Sequence, residues 1–514
     1  MKKSLQGMKK PRLEKTAQLL IESNQPPSNI VALSIFVPIY CIEKNTSAVV
    51  FSISKSSSLL NRIKSILHSF SIEYNFGCFN SILISDSKIA NKDFFTEEIF
   101  TLINEKNPTK LENLYLNSIL IGDLIYDTYL SRTGNPTVNF EDPVLISIIK
   151  EAFNLVNNWE KYFQDNTVKA ICVSHCVYLK AIPLRVALKF GIEVFQVNTD
   201  AIYRISLKFP FSYTDFREYP VKFRELELKT QLKGRDQAQS RLQLRFSGVA
   251  GVDMPYSNAS AFIKPVTRIE SPIKPSKNIK VLIAMHDFFD SPHGYGMNFY
   301  PDFYIWLTKL NELSKQVNYD WYIKTHIDVQ GNGREVLKNF VKDSNNFVLL
   351  PPDTTHFEIL EGGIDVALTV FGTIAMEYPA LGKLVINASQ NNPHSAYNFS
   401  ITPKSKEEYE NLILNLKEVL LEKRFEGNIQ EEIFEYYFMH NLYEPNSWIY
   451  INYDQYLSEV GGYKASVSLK AYKYFIKTKN KFNSEYFEKG IIKFLNSDEL
   501  RLSRRHFENT KQDQ

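Results

Sequence analysis

A Gly-Thr pair followed by a glutamate is the pattern in this sequence that best suits binding of a phosphate and a sugar. It lies in the segment Val370-Phe-Gly-Thr-Ile-Ala-Met-Glu377, directly after an apolar stretch. The free N–H groups of a helix N-terminus suit a phosphate, Gly372 permits close approach of the backbone, and Thr373 adds a hydroxyl donor. Glu377 lies one turn further on the same helix face, where a carboxylate can accept hydrogen bonds from a ribose diol. An ordinary helix cap with a solvated carboxylate fits the pattern equally well.

A lysine and a histidine two positions apart form a second candidate binding element. The segment Ile323-Lys-Thr-His326 ends another apolar stretch. Side chains two residues apart on a strand point to the same side, so Lys324 and His326 can meet one phosphate group. Histidine can also donate a proton to it. A solvated strand end is the alternative interpretation.

The segment Met285–Gly296 holds two histidines, two aspartates and two glycines directly after an apolar stretch. Such a loop can supply a general base or position an acceptor, although a polar turn with an aspartate cap is an equal alternative. Asp287 is our candidate for the catalytic base, with His286 beside it as a second catalytic candidate.

A third catalytic candidate, His175, follows the apolar run that ends at Val173. A core histidine is the more ordinary role for it. Cys172 and Cys176 flank it, but no second ligand pair with suitable spacing follows, so we expect buried thiols rather than a metal site. The sequence also lacks a D-x-D metal–diphosphate motif, a G-x-G-x-x-G fingerprint and a GxxxxGK[ST] loop, which weakens NAD-binding and ATP-hydrolysing interpretations. We therefore expect no metal and no cofactor.

The elements that position these residues alternate between strands and helices. Apolar runs predict strands, and segments of helical periodicity predict helices between them. The strands are predicted at 48–54, 81–85, 168–173, 192–197, 280–285, 320–324, 347–350, 364–369 and 384–387. This alternation predicts an α/β fold with two Rossmann-like doubly wound sheets, and ligands of such sheets bind at the carboxyl ends of the strands.

The predicted domains follow from changes in composition along the chain. Three prolines between 264 and 278 indicate a stiff linker. The predicted parts are a polar basic segment at 1–28, an N-terminal α/β acceptor-side domain at 29–263, the linker, a nucleotide-sugar-binding domain at 279–425 and a helical region at 426–514. We expect the two α/β domains to face a cleft.

Overall composition is that of an ordinary globular protein. Of the 514 residues, 44% are hydrophobic and 23% are charged, and the net charge of +3 gives no reason to expect nucleic acid as a partner. No apolar run reaches the ~20 residues of a spanning helix, so we expect a cytoplasmic protein. The tail beyond 464 mixes lysine and arginine with aromatic residues, which fits a solvated helical pair or a surface that touches the anionic inner membrane.

The order of these motifs resembles the capsular-polysaccharide and surface-carbohydrate glycosyltransferases of the GT-B fold, including the Kdo-transferase-like group. The resemblance covers about 110 residues of the second domain, and in the first domain only 174–197. It is carried by His286-Asp287, Asp290, Trp306-Leu307, Lys324-Thr-His326, Pro351-Pro352, Asp365, Gly372-Thr373, Glu377-Tyr-Pro379 and Gly382-Lys-Leu-Val385. Ile327 stands where members of this family often have proline.

The resemblance implies a GT-B-like chain that transfers a sugar from a nucleotide-sugar donor to a saccharide or glycolipid acceptor. It places Lys324, His326, Gly372, Thr373 and Glu377 against the phosphate and ribose of the donor. Two other classes remain open: a nucleotide-sugar epimerase or polyol-phosphate transferase on the same fold, and a non-catalytic scaffold of a polysaccharide assembly complex. A requirement for an acceptor separates transfer from epimerisation.

Overall fold

The computed structural model describes residues 17–23, 25–54, 81–85, 97–211, 215–254, 260–263, 270–325, 332–422, 428–478 and 483–508. The predicted binding residue His326 lies outside these residues. The chain forms two compact units. The first comprises Met1–Ile125, Glu141–Tyr213 and Glu444–Gln514, and the second comprises Tyr126–Phe140 and Thr214–Tyr443.

The first unit is built on a six-stranded sheet of order β3-β2-β1-β6-β7-β8, in which only the edge strand β8 is antiparallel. A separate two-stranded hairpin is formed by β4 and β5. The strands are β1 Ala17–Glu22, β2 Thr46–Ser54, β3 Ser81–Ser85, β4 Tyr115–Leu116, β5 Ile119–Leu120, β6 Val168–Val173, β7 Glu193–Val197 and β8 Ile202–Ile205.

Strand β1 corrects the prediction that residues 1–28 form a polar basic segment. It lies in the middle of the sheet and pairs in parallel with both β2 and β6. Its residues Leu19, Leu20 and Ile21 are fully buried. A central parallel strand is covered on both faces, so it reads as a short continuous apolar run. Here that run is only three residues long and follows a lysine-rich stretch, so the sequence did not indicate a strand.

Helix α1, Pro27–Glu43, contains the most apolar stretch of the sequence. Proline at its first position suits a helix start, since the missing N–H would have no partner there. Phe36 and Tyr40 are fully buried and contact Phe195 of β7. The same core includes Phe494 near the C-terminus of the chain, which explains why the C-terminal helices belong to the first unit.

The remaining helices of the first unit pack around this sheet and hairpin. The helix Gly122–Thr133 is divided between the units, since its residues from Tyr126 onward belong to the second one. The helices are α2 Glu97–Glu105, α3 Pro108–Glu112, α4 Gly122–Thr133, α5 Pro143–Asp165, α6 Ile182–Lys189, and, near the C-terminus, Tyr453–Val460, Tyr463–Ser466, Leu469–Thr478 and Ser484–Leu495.

The second unit is built on a parallel five-stranded sheet of order β11-β10-β9-β12-β13. Two layers of buried residues cover it. The strands are β9 Ile279–Ala284, β10 Tyr319–Lys324, β11 Phe347–Leu349, β12 Val366–Thr369 and β13 Leu384–Asn387. The helices are α7 Tyr219–Arg224, α8 Leu228–Phe246, α9 Phe303–Ser314, α10 Gly333–Asp343, α11 His356–Glu361, α12 Ile374–Ala380, α13 Lys406–Leu414, α14 Leu416–Glu422 and α15 Ile429–Tyr437.

The two strand orders share one topological feature. In each sheet the first three strands run outward in one direction, and the chain then returns to the other side of the first strand. The carboxyl ends of β1 and β6 in the first unit, and of β9 and β12 in the second, therefore flank a switch point, where open α/β sheets bind ligands. The predicted α/β class, with two Rossmann-like doubly wound sheets and C-terminal helices, is confirmed.

The division into units differs from the predicted domain bounds at two places. Residues 214–263 belong to the second unit because α8 packs against α15 through residues such as Ala238 and Tyr436. Residues 444–514 form no region of their own, because their helices share the core of α1.

Candidate functional site

The switch point of the second sheet brings three of the predicted segments together. Lys324 ends β10 opposite Ala284 at the end of β9, and Leu368 of β12 pairs with Ile283. Because β9 lies between β10 and β12 and all three strands are parallel, their carboxyl ends meet at one edge. The segments that follow β9 and β12, together with Lys324, form what we call the β9/β12 edge.

His286 joins the two loops of this edge. Its Nε2 lies 3.1 Å from Thr369 Oγ1, and the N–H groups of Val370 and Phe371 point to the same atom from 3.3 and 3.4 Å. Because these N–H groups can only donate, Nε2 acts as their acceptor, which fits the neutral ring with its proton on Nδ1. The ring also stacks on Phe303, with 4.7 Å between centroids. In this arrangement His286 holds the loop after β9 against the loop after β12. Its predicted catalytic role stays a prediction.

Gly372 lies close to both Thr369 and His286. A Cβ added to it would lie 2.8 Å from Thr369 Oγ1 and 3.6 Å from His286 Cε1. A contact of 2.8 Å is closer than real Cβ atoms adopt, so glycine is what lets Thr369 Oγ1 pack here, where it accepts a hydrogen bond from the N–H of Gly372 over 3.2 Å. The next residue, Thr373, is exposed and precedes α12 without a capping hydrogen bond from its own side chain. Its hydroxyl is thus not used as a cap.

Glu377 is buried, and its carboxylate is bonded within the protein. Arg245, in the last turn of α8, places Nε 2.7 Å and Nη2 2.5 Å from Glu377 Oε1. Sequence reasoning assigned no role to Arg245, since 132 residues separate it from its partner. Glu377 therefore presents a paired carboxylate rather than the solvated one that the pattern also allowed.

Lys324 is also buried, with 7% of its surface exposed. Its ammonium group donates a hydrogen bond to Pro352 O over 3.0 Å. This bond holds the ammonium group at the end of β10. The position of its predicted partner His326 is outside the described residues.

Asp287 is half-buried in the loop after β9. Its Oδ1 accepts a hydrogen bond from the N–H of Phe289 over 3.1 Å, which closes a short turn of the kind aspartate favours. The polar-turn interpretation of this loop therefore describes part of its role. The predicted function of Asp287 as a base stays a prediction.

The corresponding edge of the first unit holds a buried carboxylate that sequence reasoning missed. Glu22 ends β1, and its Oε2 accepts hydrogen bonds from both the N–H and the hydroxyl of Ser174, each 2.7 Å long. Burial raises the pKa of Glu22, and the bonds from Ser174 and the charge of Lys180 oppose that rise. The only signal in the sequence was a glutamate directly after an apolar run, and that run had not been identified as a strand.

His175 follows Ser174 at this same edge and is exposed rather than a core residue. The surrounding protein lowers its pKa by desolvation, and the nearby charge of Lys180 lowers it further. Cys172 and Cys176 are both buried, and burial raises the pKa of the Cys176 thiol to about 12. Two protonated, buried thiols are poor metal ligands.

In the described part of the chain, no group of three or more His, Cys, Asp or Glu side chains is placed to hold a metal ion. Nor does any helix there have the length and apolar character needed to cross a membrane.

Comparison with known proteins adds resemblances of low similarity. No protein-family model and no curated protein sequence matches the chain. The chain is similar to the UDP-GlcNAc 2-epimerase of Neisseria meningitidis bound to UDP-GlcNAc, at 11% identity and a TM-score of 0.22, over 91% of this chain and 100% of that one. It is also similar to the UDP-GlcNAc 2-epimerase of Methanocaldococcus jannaschii, at 12% identity and a TM-score of 0.24, over 81% of this chain and 97% of that one. A third similar structure is the ADP-heptose LPS heptosyltransferase II of E. coli, at 10% identity and a TM-score of 0.21, over 79% of this chain and 99% of that one. Similarities of this size carry no argument about activity, which must rest on the chain's own residues.

Proposed function

We propose that this chain is a metal-independent glycosyltransferase. It moves a sugar from a nucleotide-sugar donor to a growing surface polysaccharide or glycolipid of the capsule or lipopolysaccharide type. The observation that carries the proposal is the β9/β12 edge. There a lysine at the end of β10 and, after β12, a glycine packed against Thr369, an uncapped threonine hydroxyl and a carboxylate lie on segments at one edge of the parallel sheet.

These groups suit a nucleotide diphosphate as the leaving group. When the bond to the sugar breaks, negative charge develops on the phosphate oxygens, and fixed donors stabilise that charge without reorganising. Lys324 supplies a cation, and the N–H groups at the start of α12 supply dipoles, since the N–H groups of Val370, Phe371 and Gly372 already donate to His286 and Thr369. Helix α12 has only seven residues, so individual N–H groups rather than a long helix dipole contribute the stabilisation.

The acceptor hydroxyl must lose its proton as it attacks. In our proposal Asp287 takes that proton, and His286 holds the loop after β9 against the loop after β12. The carboxylate of Asp287 is already oriented by the N–H of Phe289.

We further propose that the protein works in the cytoplasm and touches the inner membrane through the helix Leu469–Thr478. Lys470, Lys473 and Lys477 of this helix are exposed, as are Leu469 and Ile476, while Ala471 and Phe475 face the core. Exposed lysines beside aliphatic side chains fit an anionic lipid surface. Binding to vesicles of anionic lipid should weaken severalfold in a triple Lys→Glu variant of these positions, and unchanged binding would remove this part of the proposal.

The donor site is tested by thermal stabilisation with UDP, GDP, ADP, CDP, dTDP and CMP. A ligand that binds only the folded state raises Tm by an amount that grows with its concentration. We expect one nucleotide to stabilise the wild type and to lose that effect in Lys324→Met and Glu377→Ala. Lys338→Met is the matched control, since Lys338 is exposed on α10 and pairs with Glu335.

The nucleotide found in this way identifies the donor series for an activity assay. Transfer predicts release of nucleotide that depends on an acceptor saccharide. Conversion of the donor sugar without any acceptor would replace transfer by epimerisation. A folded wild type that none of the six nucleotides stabilises would favour the scaffold alternative over an enzyme.

A further inference from the structure

The ion pair between Arg245 and Glu377 uses only one of the two carboxylate oxygens. Both contacting nitrogens of Arg245, Nε and Nη2, lie against Oε1. No hydrogen bond to Oε2 is found among the described residues. The side chains are 14% and 5% exposed, so the pair is largely removed from water. Glu377 therefore keeps one carboxylate oxygen with unused acceptor capacity, and the residue lies one helical turn after Thr373.

Arg245 is itself held in place from its other side. Its Nη1 lies 3.4 Å from Val252 O and 3.3 Å from Met254 Sδ. These two residues belong to the turn that follows α8. The third residue of that turn, Asp253, has a positive φ of 56°. The guanidinium thus contacts the turn with one nitrogen and Glu377 with the other two.

The turn is closed by a second arginine of the same helix. Arg241 donates to both carboxylate oxygens of Asp253, at distances from 2.7 to 3.2 Å. Tyr437 of α15 donates its hydroxyl to Asp253 Oδ2 over 2.6 Å. The contacts run from Tyr437 through Asp253 to the turn, then to Arg245, and end at Glu377. Such support restricts the rotamers of a binding residue.

We propose that Arg245 is a positioning residue for the ligand-binding carboxylate of Glu377. It fixes Oε1, so that Oε2 alone meets one hydroxyl group of the ribose of a bound nucleotide. This inference rests on the proposed function and adds to it a specificity that no motif of the sequence indicated.

The physical reason is the fixed fork of the guanidinium group. It holds a carboxylate in one orientation, whereas an ammonium group is a point charge that leaves it free to turn. A carboxylate held by one oxygen recognises a single hydroxyl, and a site built for one hydroxyl rejects the analogue that lacks it. Without Arg245 the carboxylate would be buried without its counter-charge, which disfavours the bound geometry.

The test compares ribonucleotides with their 2′-deoxy and 3′-deoxy forms. UDP, GDP, ADP and CDP are each measured in all three forms by calorimetry against the wild type, Arg245→Ala, Arg245→Lys and Arg235→Ala. For the ribonucleotide that binds, we expect one deoxy form to bind at least ~10-fold more weakly and the other within ~3-fold. In Arg245→Ala the ribonucleotide should bind ~10-fold more weakly, and the difference between the two deoxy forms should disappear.

The two further variants separate positioning from folding. Arg235 lies on the same helix and pairs with Glu435, so Arg235→Ala removes a comparable ion pair and should leave the deoxy preference unchanged. Arg245→Lys keeps the charge and should bind with intermediate affinity and a reduced preference, which decides the question if Arg245→Ala fails to fold. Unchanged or tighter ribonucleotide binding in a folded Arg245 variant would overturn the inference while leaving the proposed function intact. If no nucleotide binds the wild type, the proposed function fails and this inference fails with it.

Discussion

Arg204 donates a hydrogen bond from Nη2 to the main-chain oxygen of Phe494, 3.1 Å away, at the carboxyl end of the helix Ser484–Leu495. Its other terminal nitrogen, Nη1, reaches the main-chain oxygens of Ser497 and Glu499. The guanidinium carbon also lies 4.8 Å from the centre of the Phe494 ring. The last carbonyls of a helix have no partner within it, and a cation there opposes the negative end of the helix dipole. Arg204 therefore links the end of the helix Ser484–Leu495 to β8 through hydrogen bonds.

Replacing Arg204 with alanine should destabilise the first unit by about 2–3 kcal/mol, because several carbonyls lose a charged donor. We expect hydrogen exchange to accelerate most in residues 484–495. Arg204→Lys should recover less than half of the loss, since an ammonium group cannot bond with the same fork geometry. Arg504→Ala is the control: Arg504 is exposed and pairs with Glu508, and its loss should cost under about 0.5 kcal/mol. Equal exchange rates in the wild type and Arg204→Ala would show that the helix end needs no cap.

Tyr178 occupies a backbone conformation that only glycine adopts easily, with φ of 60° and ψ of −178°. It lies in the loop after β6, close in sequence to Ser174 and His175. Tyr178→Gly and Tyr178→Ala remove the same ring, but only glycine relieves the strain. We therefore expect the glycine variant to be about 1–3 kcal/mol more stable than the alanine variant in denaturant unfolding. Equal stabilities would mean that the loop relaxes when the ring is lost.

His394 should make the second unit sensitive to acid. The ring is buried, and desolvation together with the nearby charge of His440 lowers its pKa to about 3 from an ordinary value of 6.5. The unfolded chain therefore binds a proton below pH 6.5 that the folded chain does not bind until near pH 3. Stability falls with decreasing pH in that window, by about 2 kcal/mol from this residue between pH 7 and pH 5.

The variant His394→Phe keeps a ring against Tyr436 and cannot bind a proton. We expect its stability relative to the wild type to improve by about 2 kcal/mol from pH 7 to pH 5. Urea unfolding followed by tryptophan fluorescence measures this, with separate transitions fitted if the two units unfold apart. A stability difference that stays constant with pH would show that His394 is protonated in the folded protein.

The sequence predicted those elements whose signals are local. Runs such as 168–173 and 280–285 were identified because each apolar strand is followed by a clear helix, and the two sheets follow from their alternation. Strand β1 was missed because the lysine-rich residues before it dominated its composition. Strand β8 was not predicted, because a segment of four residues that contains Arg204 gives too short an apolar pattern to indicate a strand. Its antiparallel partner β7 directly precedes it, but the main-chain oxygens that Arg204 caps lie nearly 300 residues later.

The residues of the candidate site also differ in whether the sequence carries a local signal for them. Lys324, Gly372, Thr373 and Glu377 were found from spacing along single segments, and the strand order places those segments at one edge. Arg245 was not found, because nothing in the charged helix α8 distinguishes it from Arg235 or Arg241 until the fold brings it to Glu377. Pairs formed across more than 100 residues carry no local signal.

Adding a single methyl group at Gly372 tests whether the β9/β12 edge binds the nucleotide. In Gly372→Ala the new Cβ would meet Thr369 Oγ1 at 2.8 Å, so Thr369 must move and its contact with His286 must change. We expect nucleotide binding to weaken at least ~10-fold, with a loss of stability of about 1–3 kcal/mol from overpacking. Gly294→Ala is the matched control, because the loop around it leaves an added Cβ no contact closer than 3.6 Å. If Gly372→Ala binds the nucleotide as the wild type does, the backbone at Gly372 does not contact the phosphate, and the donor site must be sought elsewhere in the chain.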